Sequence, residues 1–478
     1  MKRFFAIMIA AAMLLALAAC KGGDKPGPLG SPDPTQQALN TETSDTTAAP
    51  ENTLSPGELQ FTGDLSYNPE TDFDPRLGSA LDTFIDVGDF YIWHLSGDYY
   101  IRYADKSGGD WGVLCGKPEC EHEYGGGPDN EPNKTCNAYI GSVQGSLWID
   151  GDKLYYVNDW ERVEGESLGG LHRLNLDGTG HEKVCMLPEL LCSAGEALAP
   201  QRFYFHRGMI YCRASLFDVV DGEPVARSGY YALKPDGSEC TTIFESSTGR
   251  GGYMAFMGEY CYVIDVSGSY DDDGNAYTEN TLLRWSPNTQ KAEVLYRGGD
   301  FIYPNPGEWF LSGGNIYLGE PRLRHEGSRG VMYLEDGGWE ELINFEDPEI
   351  HYTTCCVSDG IAIAENYTEM DSESEDYVRG AWKSLDKDIW IKDFEGNTIY
   401  KGKLPMDWMG TCEEAAEMKE ISWFYAFGNM DEIWVQFVLD NGNDHFMRHG
   451  NFLVKYVPVD GGLEATLTGA ALDMLEEY

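Results

Sequence analysis

Residues 171–185, LHRLNLDGTGHEKVC, decide the fold because they indicate a strand, a tight turn and a second strand. Asp177 and Gly178 occupy the turn, where a two-residue hairpin connection needs a positive φ that glycine adopts easily and where aspartate bonds to the turn amides. Five weaker copies of this pattern follow, at residues 230–244, 282–296, 331–343, 389–404 and 452–467. The chain is therefore predicted to be built from repeated β-hairpins.

A second pattern accompanies these hairpins, a small turn followed by an apolar, aromatic strand. It begins about 50 residues apart along the chain, with one gap of about 70, which is a period typical of propeller blades. Its seven starts are Ser96, Asp150, His206, Met257, Gly313, Ser358 and Met430. The sequence predicts an all-β fold, a single β-propeller of about seven four-stranded blades, with six or eight left open.

The hairpin at residues 171–185 resembles the repeat of TolB-like propellers and of the propeller lipoproteins common in Clostridia. In those families a hairpin of the form Φ-Y/H-R-Φ-N-x-D-G-T/S-G recurs from blade to blade. The resemblance covers roughly residues 85–470 and implies the propeller fold without specifying an activity. The Trp-Asp strand ends and sialidase boxes of other propellers are missing, so their functions do not transfer.

The N-terminus carries a lipidation signal. Two basic residues at positions 2–3 and an apolar run over residues 4–19 lead to Leu-Ala-Ala-Cys, which ends at Cys20 and resembles the lipobox of bacterial lipoproteins. The run is too short and wrongly flanked for a stable membrane span. The resemblance implies a signal peptide over residues 1–19, acylation (palmitate-type) of Cys20 and a protein anchored on the extracytoplasmic face of the cell membrane.

The next segment differs in composition from the rest of the chain. Residues 20–60 are rich in Pro, Gly, Ser, Thr and Asp and contain hardly any large apolar side chain. Such a segment cannot bury a core, so it is predicted to be a disordered tether between the lipidated cysteine and a propeller domain over residues 61–478.

The charge of the chain limits its partners. Lys and Arg together number 34 against 80 Asp and Glu, which gives a formal net charge of −46. A field of this sign repels the phosphates of nucleic acids, so nucleic-acid binding is excluded as a function.

Four residues of the first unit form a candidate site. Cys115, Cys120, His122 and Cys136 lie within one Pro- and Gly-rich loop. Three thiolates and one imidazole would complete a tetrahedral structural zinc site, and such soft ligands disfavour calcium and magnesium. Similar Cys/His loops recur in the clostridial lipoproteins that the chain resembles. A disulfide between two of the cysteines, expected in an oxidising compartment, and unreacted thiols are the alternatives.

A weaker candidate for calcium is the segment YDDDGNAYTEN. Asp271, Asp273, Asn275 and Glu279 offer oxygen ligands at intervals around a glycine, as the start of a calcium loop does. The twelfth position, Leu282, lacks the bidentate glutamate that an EF-hand needs, so the segment is interpreted chiefly as a solvated turn.

One interruption of the β pattern is predicted to be helical. Thr411-Cys412-Glu413-Glu414 matches a capping box, in which the threonine bonds to the third amide and the glutamate reaches back. A short helical insert is therefore expected over residues 411–420, between the sixth and seventh units.

The fold leaves three functions open. The favoured one is non-catalytic: a binding module or scaffold for a surface glycan, peptide or protein partner, with aromatic side chains as contacts. The alternative is a propeller-type extracellular hydrolase or lyase acting on polysaccharide, whose carboxylates would converge only in the folded chain.

Overall fold

The structure is a computed structural model, in which only part of the chain is described. The described residues are 64–74, 83–95, 98–120, 122, 133–141, 147–163, 166–186, 197–220, 223–246, 252–270, 276–298, 309–312, 315–319, 331–335, 338–341, 350–357, 361–368, 384–393, 395–442 and 449–471. They all belong to one unit, Ala49–Tyr478. The predicted signal peptide, Cys20 and the tether lie outside the described residues.

The described part of the chain holds 28 strands in seven four-stranded antiparallel sheets. The first two sheets consist of β1 (Thr83–Asp86), β2 (Phe90–His94), β3 (Arg102–Asp105), β4 (Trp111–Val113), β5 (Trp148–Asp150), β6 (Lys153–Val163), β7 (Glu166–Asn175) and β8 (Glu182–Met186). The third and fourth consist of β9 (Ala197–His206), β10 (Met209–Val220), β11 (Glu223–Leu233), β12 (Cys240–Ser246), β13 (Gly252–Met257), β14 (Tyr260–Tyr270), β15 (Ala276–Ser286) and β16 (Lys291–Gly298).

The fifth and sixth sheets consist of β17 (Trp309–Ser312), β18 (Asn315–Gly319), β19 (Val331–Glu335), β20 (Gly338–Glu341), β21 (Ile350–Val357), β22 (Ile361–Thr368), β23 (Asp388–Asp393) and β24 (Thr398–Lys403). The seventh consists of β25 (Glu420–Gly428), β26 (Ile433–Asp440), β27 (His449–Val459) and β28 (Gly462–Ala471). Each sheet is built from four consecutive strands in chain order. This is the meander expected of propeller blades, so the predicted all-β propeller fold is confirmed.

The six predicted hairpins all appear as the third and fourth strands of a sheet. The quoted hairpin at 171–185 is β7 and β8, and its turn glycine, Gly178, has a φ of 81°. The aromatic segments of the second pattern form the second strand in every sheet except the first, namely β6, β10, β14, β18, β22 and β26. The local turn chemistry and strand alternation were therefore sufficient to locate most of the β elements.

The first unit was assigned wrongly. The segment from Ser96 precedes β3, whereas the second strand of this sheet is β2, which follows a turn at Gly88 with a φ of 97°. Residues 99–101 pair with a loop instead: the Ile101 amide donates to Ala138 O at 3.0 Å and the Ile140 amide donates to Tyr99 O at 2.9 Å. This pairing outside the sheet is tertiary, and the local pattern did not reveal it.

Apolar side chains fill the seams between four pairs of successive sheets. Buried clusters join the first sheet to the second, the second to the third, the third to the fourth, and the sixth to the seventh. The backbones of β13 and β17 lie side by side, as do those of β18 and β21, so the fourth, fifth and sixth sheets are in contact as well.

The seventh sheet packs against the first and closes this circuit. The Trp434 ring centroid lies 4.7 Å from that of Phe84 and 4.9 Å from that of Tyr91. Phe427 adds a further contact, 5.4 Å from Phe84 between centroids. Within the described residues no strand of either sheet is inserted into the other, so side-chain packing holds this seam together.

The helical insert exists but differs from its prediction. A 3-10 turn spans Asp407–Thr411 and the helix α1 spans only Glu413–Ala416, with Cys412 as N-cap and no side-chain cap bond. The Thr411 hydroxyl donates to Trp408 O at 2.7 Å, so it does not cap the helix. The predicted end at residue 420 is also wrong, because β25 begins there.

Among the described residues, no helix has the length and apolar character needed to cross a membrane.

The seam between the first and seventh sheets yields the first prediction. Trp434 is 3% exposed, and its replacement in Trp434→Ala should lower the free energy of unfolding by about 3–5 kcal/mol through lost burial and a residual cavity. Denaturant titration measures this change. Tyr67→Ala is the control, because Tyr67 is 47% exposed and should be near neutral. Equal stability of the two variants would contradict a closure that depends on Trp434.

Candidate metal centre

The four predicted ligands come together on the connection between the first and second sheets. Cys115, Cys120, His122 and Cys136 each offer one ligand atom, and these atoms all lie within 4.8 Å of one another. Cys136 is buried and the other three are half-buried. The structure records the three cysteines as free thiols.

The spacing suits a tetrahedral zinc ion. Zinc–sulfur bonds of about 2.3 Å and zinc–nitrogen bonds of about 2.0 Å place neighbouring ligand atoms about 3.5–3.8 Å apart. The four atoms here, at most 4.8 Å apart, would need to approach one another by no more than about 1.3 Å to reach that geometry. This is within the movement that cysteine and histidine rotamers allow, so the residues fit a zinc ion.

Short turns hold two of the cysteines in place. The Cys120 amide donates to Lys117 O at 3.1 Å and the Cys136 amide donates to Asn133 O at 3.0 Å. Lys117 Nζ joins the two turns by donating to Thr135 O at 2.6 Å. Backbone geometry therefore places Cys120 and Cys136, the two cysteines that flank His122 in the sequence.

Hydrogen-bond donors point at the sulfur atoms. Asn133 Nδ2 donates to Cys120 Sγ at 3.4 Å, and the Ala138 amide donates to Cys136 Sγ at 3.3 Å. The backbone amides of Lys117 and Asn137 donate to the Cys115 sulfur. Donors of this kind stabilise thiolates and orient metal ligands, and the cysteine spacing alone does not reveal them.

The three thiols differ in acidity. Burial opposes ionisation of Cys115, but hydrogen bonds from His122 and from the two backbone amides outweigh it and lower the pKa of this thiol to about 6. Burial raises the pKa of Cys136 to about 12 and also raises the pKa of Cys120. At neutral pH the metal-free cluster therefore holds one thiolate and two thiols.

The imidazole of His122 has a buried nitrogen atom that makes no hydrogen bond. Its Nε2 atom is buried without a hydrogen-bond partner, and its ring lies edge-on to Tyr100 with the centroids 6.2 Å apart. Tyr100 in turn accepts a hydrogen bond from the Asn133 amide at 2.7 Å. A buried ring nitrogen without a partner is costly, and a metal ion that draws the ring toward the thiolates is one way to relieve that cost.

The second sheet supports the loop from outside. His181 Nε2 donates to Asn137 O at 2.7 Å. A Cβ atom on Gly178 would lie only 2.6 Å from Leu114 O and 3.4 Å from Asn137 O. The Asp-Gly turn that identifies the hairpin thus also allows the loop of the candidate metal centre to approach closely.

The structure does not test the calcium candidate. Asp271, Asp273 and Asn275 lie outside the described residues. The fourth residue, Glu279, belongs to β15, where its backbone pairs with Ser267 of β14. The calcium site stays a prediction.

No family model matches the sequence. No curated protein matches it either. Among solved structures, YjhT is similar at 12% identity and a TM-score of 0.36, over 68% of this chain and 97% of that one. The β-propeller domain of the trilobed protease from Pyrococcus furiosus is similar at 10% identity and a TM-score of 0.33, over 68% and 96%.

A third solved structure is an enzyme. The Pyrococcus horikoshii acylaminoacyl peptidase is similar at 11% identity and a TM-score of 0.39, over 82% of this chain and 54% of that one. The chain therefore spans about half the length of that peptidase. These likenesses concern the fold alone and transfer no activity.

A glycine pair tests the contact between the turn and the loop. Ala at Gly178 or at Gly461 must adopt a φ near +80°, which costs about 1–2 kcal/mol at either position. Only Gly178 has backbone atoms in the way, whereas nothing lies within 4 Å of a Cβ on Gly461. Gly178→Ala should therefore lose about 1–3 kcal/mol more. Denaturant titration of both variants measures the difference, and equal losses would contradict the close approach.

Proposed function

We propose that the chain is a bacterial lipoprotein, anchored through Cys20 on the extracytoplasmic face of the cell membrane. Its propeller acts there as a binding or scaffold module for a surface glycan, peptide or protein partner. The loop between the first and second sheets binds zinc as a structural ion. The support for the anchor is the lipobox and the acidic, apolar-poor tether after it.

One observation carries the non-catalytic reading of the metal centre, namely that the protein itself supplies four ligands. Catalytic zinc sites keep one position open for water or substrate, whereas structural sites are closed by four side chains. Three sulfur atoms and one imidazole within 4.8 Å of one another are a closed set. Zinc bound here would stabilise the loop and would not act on a substrate.

The location of the centre fits a supporting role. Residues 138–140 pair with residues 99–101, which connect β2 to β3 in the first sheet, and Asn137 O lies beside the turn at Gly178 of the second sheet. Zinc would join two parts of a loop that fills the seam between these sheets. A metal that binds only the folded state adds its binding free energy to stability.

Metal analysis tests the zinc proposal. Protein purified without chelator or reductant should contain one zinc ion per chain, and Cys136→Ser should lose it. Cys240→Ser is the matched control, because Cys240 is a half-buried thiol outside the cluster. Metal-free protein with a bridged pair among Cys115, Cys120 and Cys136 would overturn the proposal in favour of a disulfide.

Titration of the metal-free protein with zinc should also release protons from the thiols. Because only Cys115 is ionised beforehand, zinc binding near pH 7.5 should release about two protons. Calorimetry in buffers of different ionisation enthalpy counts these protons.

The anchor is tested with Cys20→Ala. This protein should remain folded, because Cys20 precedes the propeller, and should move from the membrane fraction to the soluble exported fraction. Labelled palmitate should be incorporated into the wild type only. Membrane association that persists in the variant would contradict lipid anchoring through Cys20.

The soluble Cys20→Ala protein can also be used to distinguish a binding function from a catalytic one. Electrophoresis through gels that contain cell-envelope polysaccharide should show retarded migration without release of reducing ends. Release of reducing ends or of unsaturated products would favour the hydrolase or lyase alternative.

A further inference from the structure

Residues 64–74, called the strap here, lie across two neighbouring turns of the propeller. One turn, at Arg207 and Gly208, connects β9 to β10 in the third sheet. The other, at Gly258, connects β13 to β14 in the fourth sheet, and a Cβ there would lie 1.7 Å from Asp64 O. The strap thus covers the seam between the third and fourth sheets, immediately after the predicted tether.

Arg207 is the main polar contact of the strap. Its guanidinium donates to both carboxylate oxygens of Asp72, at 2.8 and 3.1 Å, and to Asp64 Oδ2 at 3.1 Å. It also donates to Ser66 O at 2.8 Å, and its amide donates to Thr71 O at 2.6 Å. Arg207 has a φ of 47°, in the left-handed region that non-glycine residues seldom adopt. These bonds hold the strained turn in place.

Phe73 is the main apolar contact. Its ring centroid lies 5.5 Å from that of Tyr204 in an edge-on arrangement and 5.6 Å from that of Phe256. Tyr204 and Phe256 belong to the buried cluster between the third and fourth sheets, and Phe73 packs against that cluster.

His206 joins the strap to both sheets. The Phe73 amide donates to His206 Nδ1 at 2.9 Å, so this nitrogen must be an acceptor without a proton. The other nitrogen, Nε2, therefore carries the proton and donates to Gly258 O at 2.6 Å. The side chain is 1% exposed, so water cannot replace either partner.

We propose that the strap is an acid-sensitive fastening, in which protonation of His206 releases residues 64–74 from the seam between the third and fourth sheets. A second proton on the imidazole must go to Nδ1, where it faces the Phe73 N–H instead of an acceptor. The hydrogen bond is then replaced by two opposed donors. The strap must move away, and the surface formed by Tyr204 and Phe256 is uncovered.

The charged groups around His206 define the pH range of this step. Burial is the largest influence and lowers the pKa of His206. The hydrogen bond to Gly258 O and the charge of Asp72 favour the imidazolium, whereas the charge of Arg207 opposes it. Asp64, Asp74 and Glu259 lie further along the strap and the Gly258 turn, and Tyr211, whose pKa burial raises, faces the ring from β10.

The acidic partners of Arg207 stay ionised in that range. Burial opposes ionisation of Asp72, but hydrogen bonds from Arg207 and the Asn68 amide lower its pKa, and hydrogen bonds from Ser66 and Arg207 lower the pKa of Asp64 to about 2. Their stabilisation is present above their usual pKa near 4 and is lost only below it. His206 has a lowered pKa, so its stabilisation is present above its usual pKa near 6.5 and is lost as the pH falls below that value.

Amide hydrogen exchange on the full chain tests the proposal. The protection factor of the Phe73 amide should fall as the pH drops below about 6.5, by up to roughly tenfold per pH unit. The Gly396 amide, which bonds to Asp393 O in a turn of the sixth sheet, is the internal control and should keep its protection.

His206→Asn removes the titrating group while an amide oxygen remains available to accept from Phe73. Its Phe73 protection, whatever its absolute value, should not change between pH 7.5 and pH 5. A constant protection factor in the wild type, or the same fall in His206→Asn, would overturn the proposal.

Arg207→Lys provides a second variant that leaves His206 in place. Lysine cannot make the bidentate bond to Asp72, so protection of the Phe73 amide should fall at every pH while its pH dependence persists. Loss of the pH dependence in Arg207→Lys would assign the effect to the ion pair and would also overturn the proposal.

Discussion

The closure of the circuit between the first and seventh sheets is the constraint on which the other sheets depend. Each sheet is made of consecutive strands, so in the described chain no strand crosses from the last sheet to the first. The seam relies on Phe84, Tyr91, Phe427 and Trp434, whose rings meet in edge-on and tilted contacts. Buried aromatic rings contribute large apolar areas in defined geometries. At this seam they hold the two sheets together without backbone hydrogen bonds between the described strands.

Because each sheet is formed by consecutive strands, the connections between sheets take no part in the strand pairing within the described sheets. Two of these connections form local structures of their own. The connection after the first sheet holds the Cys/His cluster, and the connection after the sixth holds the 3-10 turn and α1, with Trp408 stacked 5.7 Å from Phe437. Both connections send buried side chains back into a neighbouring seam. The loops therefore act as parts of the core, and the loop of the candidate metal centre does so through Cys136, Ala138 and Ile140.

Features coded by adjacent residues were predictable, and features coded by distant ones were not. The hairpin of β7 and β8 follows from Asp177 and Gly178, and the candidate metal ligands follow from residue types with high metal affinity in one loop. The role of residues 99–101 depends on pairing with residues 138–140, so local pattern placed the first unit one strand too late. The Thr411 hydroxyl can cap the following helix or donate to a carbonyl of the preceding turn, and local sequence does not distinguish these two hydrogen bonds.

The strap is the clearest case of a missed feature. Arg207 and Asp72 stand 135 positions apart, in an acidic chain where aspartates are abundant and none is distinctive. His206 lay within a predicted strand start, but its acceptor role exists only once Phe73 is docked beside it. No local signal could have found this contact.

Basic residues are scarce in this chain, and one of them, Arg102, forms a buried ion pair. With 34 Lys and Arg against 80 Asp and Glu, the chain has too few cations to give every carboxylate its own partner. Arg102 donates from Nε to Asp98 Oδ2 at 2.6 Å, with side chains 3% and 0% exposed. The same aspartate accepts from the Tyr100 amide at 2.9 Å.

This buried pair fixes the segment against which the metal loop forms. Asp98 is held from a further side, because its carbonyl lies 3.0 Å from His94 Nε2 on β2. The pair therefore sets the course of residues 98–102, and residues 99–101 provide the backbone partners of residues 138–140. A buried ion pair adds little net stability, but removing one partner costs several kcal/mol, so it favours one local arrangement over others.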